Sequence, residues 1–132
     1  MFCAVVLSTS FVVGNVASAT VILPDSPAYS YARDCSSTLS ISGTTVTCES
    51  SVTGYYNETT KIVINQTLQK KNSSGDWNDV CSWSNTINSF KGSVTNTKSS
   101  LSNGTYRLKT VFTVYAENSN ETIYSYSLEK TI

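Results

Sequence analysis

The chain has 132 residues, in which nine Lys and Arg balance nine Asp and Glu, and histidine is absent. Sparse, balanced charge leaves no electrostatic footprint for nucleic acid or for an anionic membrane surface. The lack of histidine removes Ser-His and Cys-His nucleophilic pairs and histidine-based zinc or copper sites.

Taken in chain order, residues 1–19 read as a signal peptide. Phe2 to Val13 is largely apolar and uncharged, and Ala17 and Ala19 supply small residues for cleavage before Thr20. No basic residue precedes this run, which at about twelve residues is too short to span a bilayer. No later segment is apolar enough to anchor the chain, so a secreted protein without stable membrane insertion after cleavage is expected. Cys3 would leave with the signal, and Cys35, Cys48 and Cys81 would remain. That odd number in an oxidising compartment allows one bridge and one free thiol. A Cys35–Cys48 bridge closes a loop of about fourteen residues, worth roughly 3 kcal/mol, and is preferred. The alternative, Cys48–Cys81, links more distant strands. On the preferred pairing Cys81 is the free thiol, and it could join two chains in a disulfide dimer.

Residues 20–34, with Pro24 and Pro27, read as an extended lead-in or an edge strand. From residue 35 to 132 the pattern has period two, interrupted by turns. In TLSIS, Leu39 and Ile41 alternate with Ser and Thr before a turn at Ser42-Gly43, and TVTCESSV sets Val46, Cys48, Ser50 and Val52 on one face. TGYYNETT is a loop. KIVINQTLQK then places Ile62, Ile64 and Leu68 inward, against Lys61, Asn65, Thr67 and Gln69. NSSGD is a turn, because Asn and Gly tolerate left-handed backbone. WNDVCSWS, the weak polar strand GSVTNT and the turn LSNGT follow. In TYRLKTVFTVYA, Tyr106, Leu108, Thr110, Phe112, Val114 and Ala116 share one face and Arg107, Lys109, Thr113 and Tyr115 the other, and the segment reads as a central, half-buried strand. ENSNE turns into a closing strand, TIYSYSLEKTI.

About seven short strands with regular turns indicate an all-β, immunoglobulin-like antiparallel sandwich. Tyr106, opening the penultimate strand after a Gly turn, stands where such folds place a structural tyrosine corner. Leu108 then takes the position of the second intersheet cysteine of antibody domains, which leaves Cys48 without that partner.

LSISGTTVTCESSVTGY, KIVINQTLQKKNSSGDW, CSWS and GTYRLKTVFTVY, in this order and spacing, resemble small exported proteins of Gram-positive, Clostridia-type bacteria. The resemblance covers residues 35–132. It implies export and a β-sandwich, and it carries no activity. It also puts a small or polar residue where this chain has Cys81, which speaks against a structural role for that thiol.

CxxC, P-loop and Gly-rich dinucleotide motifs are missing, so no cofactor is expected. Paired carboxylates could act without histidine, but Glu49, Asp76, Asp79, Glu117 and Glu121 form no recognisable pair, and no enzyme is expected. Asn72, Asp76, Asn78 and Asp79 could offer oxygen ligands to calcium. Their spacing fits no known loop and turn chemistry explains them, so no metal is expected. Sequons at Asn57, Asn65, Asn72, Asn103 and Asn120 are read as turn and surface asparagines.

GDWNDVCSW is the stretch most like a site. On a regular strand Trp77, Asp79, Cys81 and Trp83 share a face. Facing inward, they would bury Asp79 unpaired; facing outward, they would form a sugar-stacking platform, which Tyr55, Tyr56, Tyr115, Tyr124 and Tyr126 could extend. A bulge near Asp79-Val80 instead turns Val80 and Trp83 inward and leaves Trp77 over the hairpin end, and this is the preferred reading. The expected function is that of a secreted, non-catalytic binding or surface-interaction domain, with a glycan or cell-surface protein as partner. A carbohydrate-binding module and a ligand-free spacer are the alternatives.

Overall fold

The computed structural model describes residues 29–132. The signal peptide and most of the expected lead-in lie outside the described residues. Eight strands follow in order: β1 (Ala32–Ser42), β2 (Thr45–Gly54), β3 (Lys61–Lys71), β4 (Trp77–Ile87), β5 (Lys91–Lys98), β6 (Thr105–Tyr115), β7 (Asn120–Tyr126) and β8 (Lys130–Thr131). β1 starts within the segment expected to be a lead-in.

The strands form two antiparallel sheets, β1-β2-β5 and β4-β3-β6-β7, with β8 paired to β6. This is an immunoglobulin-like sandwich in which the fourth strand joins the third rather than the first sheet. Alternation along each strand explains the packing. Val46, Cys48, Ser50 and Val52 of β2 are buried, as are Tyr106, Leu108, Thr110, Phe112 and Val114 of β6. The intervening residues face solvent on the outer surfaces.

The core is divided. One apolar cluster gathers Cys35, Val52, Ile62, Ile64, Phe112, Val114 and Ile123; the other gathers Leu39, Val46, Cys48, Leu68, Tyr106 and Leu108. Between them runs a belt of polar side chains that joins the sheets. Asn96 Nδ2 donates to Gln66 Oε1 at 2.7 Å, and Gln66 Nε2 donates to Ser50 Oγ at 2.8 Å and to the Cys48 carbonyl at 3.3 Å. Ser50 Oγ meets Thr110 Oγ1 at 2.8 Å, and Ser37 Oγ lies 2.7 Å from Thr110 Oγ1 and 3.0 Å from Ser125 Oγ. Gln66, Ser50, Thr110 and Ser125 are fully buried, so these bonds replace the water they lose.

The ends are fixed by side chains. Tyr106 donates its hydroxyl proton to the Ser102 carbonyl at 2.7 Å, the backbone bond of a tyrosine corner. Asn72 Oδ1 accepts the Ser74 and Asp76 N–H groups, each at 2.9 Å, and closes the β3–β4 turn. Gly75 takes φ of 88° there, a conformation L side chains rarely adopt.

The expected Cys35–Cys48 bridge is not formed, because Cys48 is a free thiol. Strand register gives the reason. Cys48 stands opposite Leu39, while Cys35 stands opposite Val52. Four residues of β1 therefore separate the two positions, about 13 Å at strand rise, against the 7 Å limit or so that a disulfide spans.

Candidate functional site: the outer face of the larger sheet

The two outer faces differ in chemistry. On β1-β2-β5 the outward positions are Asp34, Ser36, Thr38, Ser40, Thr47, Glu49, Ser51, Thr53, Lys91, Ser93, Thr95 and Thr97, small hydroxyls apart from two acids and one lysine. The outward positions of β4-β3-β6-β7 carry Trp77, Arg107, Lys109, Tyr115, Tyr124 and Tyr126. Aromatic and cationic side chains are concentrated on this second face.

Its centre is Arg107. The guanidinium carbon lies 4.3 Å from the centroid of the Trp77 ring and 4.5 Å from that of Tyr126, within cation–π range of both. Arg107 Nε donates to Gln69 Oε1 at 2.8 Å, and Gln69 Nε2 donates to Asp79 Oδ1 at 2.9 Å. Asp79 thereby sets the amide orientation of Gln69, which orients the guanidinium. Burial lowers the Arg107 pKa, while Tyr126 and Glu129 act in the opposite direction. Lys71 Nζ sits 5.2 Å from the Trp77 centroid and 3.2 Å from Glu129 Oε1. Further along, Lys109 Nζ is 5.8 Å from the Tyr124 ring, which is 48 % exposed. Tyr124 and Tyr126, two residues apart on one strand, stand about 7 Å from each other.

The bulge places Trp77 in this array. Gln69 pairs with Asp79 and Leu68 with Cys81, so Val80 is the additional residue. Trp77 and Asp79 consequently face outward, and Cys81 and Trp83 inward. Trp83 packs against the second core cluster. Val80 is not drawn inward as expected but remains 37 % exposed. A platform containing both tryptophans is therefore ruled out by parity.

Tyr55 and Tyr56 do not join the array either. They occupy the β2–β3 loop, with Tyr56 set edge-on against Phe90 at 5.4 Å. β3 begins at that end, and its last residue, Lys71, ten residues on, pairs with Trp77, about 33 Å away at strand rise.

Two of the acidic candidates, Glu121 and Asp79, have local tasks. Glu121 accepts the Ser30 and Tyr31 N–H groups at 3.0 and 2.7 Å and ties the chain entering β1 to β7. Asp79 is bound to Gln69, and Asn72 is occupied by its turn. Among the described residues no group of three or more His, Cys, Asp or Glu is placed to hold a metal ion. Cys81 points towards the interior, which gives no support to an interchain bridge.

Period-two reasoning finds the outward tyrosines and Arg107. It misses their union with Trp77, because that depends on one inserted residue in a neighbouring strand.

The fold and this face define an immunoglobulin-like sandwich with an aromatic, cationic sheet surface. Among solved structures, the chain is similar to wild-type OgpA from Akkermansia muciniphila, with 15 % identity and a TM-score of 0.44. The match covers 84 % of this chain and 33 % of that one. Catalytically inactive OgpA in complex with an O-glycopeptide, glycodrosocin, matches at the same identity and score, over 34 % of its length. This chain thus corresponds to about a third of either protein. No protein-family model matches the chain, and no curated protein does.

Proposed function

We propose that this protein is an exported, non-catalytic binding domain that takes saccharides on the outer face of β4-β3-β6-β7. The observation that carries the reading is the segregation of aromatic side chains to this one outer face, in a row running Tyr124, Tyr126, Arg107, Trp77. Sugar rings have apolar faces that stack on aromatic rings and hydroxyls that need donors and acceptors at the rim. Tyr124 supplies an accessible ring; Asp79 and Arg107 supply carboxylate and guanidinium groups on the same face, held in place by the buried Gln69 amide. The guanidinium is oriented before any ligand arrives, which lowers the ordering cost of binding. Its terminal nitrogens make no hydrogen bond to the described residues, leaving a planar fork able to meet a carboxylate.

A glycan array probed with labelled protein tests the proposal. The expected result is binding to a restricted set of glycans, weakened about tenfold by Tyr124→Ala, since an aromatic contact is worth about 1 kcal/mol or more. The Tyr55→Ala variant should bind like the unaltered protein. A blank array from folded protein would favour a spacer in which the Trp77–Arg107–Tyr126 contacts only brace the sheet.

A further inference from the structure

Two thiols remain unaccounted for by the binding face. Cys48 is buried on the inner side of β2, and Cys81 is half-buried on the inner side of β4. They belong to different sheets and to the same core cluster, Cys48 as a member and Cys81 packed against it. Register puts them at neighbouring levels. Cys48 pairs with Asn96, whose amide bonds Gln66 across the sandwich, and Cys81 pairs with Leu68, two residues beyond Gln66 on β3.

We propose that Cys48 and Cys81 are an intersheet cross-linking site, oxidised by a small-molecule disulfide to a bridge between β2 and β4. Antibody domains run a bridge from the second strand to the sixth; here that sixth-strand position is Leu108, and the thiol facing Cys48 comes from the edge strand instead. A disulfide requires its Cα atoms to lie closer than facing sheets commonly do. β4 has the latitude for such an approach, since it is an edge strand whose ladder is already interrupted at Val80, immediately before Cys81.

The environments of the two sulfurs set the order of events. Burial pushes the Cys48 thiol up to about 12, with Cys81 adding to the shift. Burial also raises Cys81, but Lys98 opposes it. Cys81 is therefore the first nucleophile. Its thiolate attacks one sulfur of oxidised glutathione, the reagent S–S bond breaks, and one glutathione thiolate leaves. Cys48 gives its proton to solvent and attacks the Cys81 sulfur of the mixed disulfide, expelling the second glutathione. Two thiols become one disulfide, and one oxidised glutathione becomes two reduced molecules.

The test is incubation of the full chain in oxidised glutathione, followed by denaturation, alkylation and peptide mapping, so that Cys35 is scored separately. The expected result is a monomer with a peptide joining Cys48 to Cys81 and with neither of the two alkylated. Its melting temperature should exceed that of reduced protein, and Cys48→Ser should stop at a single glutathione adduct on Cys81. A stable adduct on Cys81 in unaltered protein, with Cys48 alkylated only after denaturation, would overturn the proposal. So would a covalent dimer through Cys81, or a peptide joining Cys35 to Cys48.

Discussion

Gln66 holds the two sheets in register. Its amide is fully buried and touches three residues of the opposite sheet, Cys48, Ser50 and Asn96. Replacing it with Leu leaves buried donors and acceptors without partners, at a cost of about 1–3 kcal/mol. Urea unfolding of Gln66→Leu should show that loss, and equal stability would mean that the belt is neutral. Alternation places residue 66 inward, but which groups satisfy an inward amide is decided only when the sheets stack. For that reason the belt is not legible in the sequence. Cys48 supplies a second expectation, for reduced protein. Unfolded, its thiol has the ordinary pKa of 9.0; folded, burial pushes it up to about 12. Below 9 both states keep the proton and the contribution is whole. From 9 to 12 the unfolded state sheds a proton that the native state retains, so stability falls as pH rises, by at most about 1.4 kcal/mol per pH unit. Chemical denaturation across that range should give a shallower decline for Cys48→Ala than for unaltered protein. Parallel declines would mean that the thiol is not buried as described.

At the scale of elements, the strands with strong alternation, β2, β3 and β6, are legible because each buries one face and exposes the other. β1 is longer than its sequence indicates, since its first residues alternate weakly and the chain just before them, Ser30 and Tyr31, is held by Glu121, a contact from a distant strand. β4 is the instructive case. Its regular pattern would place Asp79 on the same face as Cys81 and Trp83, and the cost of burying that acid is what points to a bulge near Asp79-Val80. The position of the bulge is legible; the side it gives to Val80 is not, because an edge strand has solvent within reach of either face. Deleting Val80 would remove the bulge and leave Trp77 and Asp79 outward, whereas deleting Asn78 would turn Trp77 inward and break its stack on Arg107. The Asn78 deletion should lower Tm by at least about 4 °C, while the Val80 deletion, which keeps both side chains on the outer face, should lower it less. An Asn78 deletion with unchanged Tm would mean that β4 absorbs the change elsewhere.

For the whole molecule, the sandwich has one outer face made mostly of small hydroxyls, without aromatic rings, and another of rings, cations and amides, and the proposed function rests on that asymmetry. The aromatic residues at the far end, Tyr55 and Tyr56, serve as an internal control because they are exposed yet belong to neither sheet face. The most direct measurement is a two-dimensional NMR titration of isotope-labelled protein with the strongest glycan from the array. The account predicts shifts at Gln69, Asp79, Arg107, Tyr124, Tyr126 and the Trp77 indole N–H, with β1, β2, β5 and the Tyr55–Tyr56 loop undisturbed. Shifts centred on that loop or on the hydroxyl-lined face, with the Trp77 indole unmoved, would contradict it.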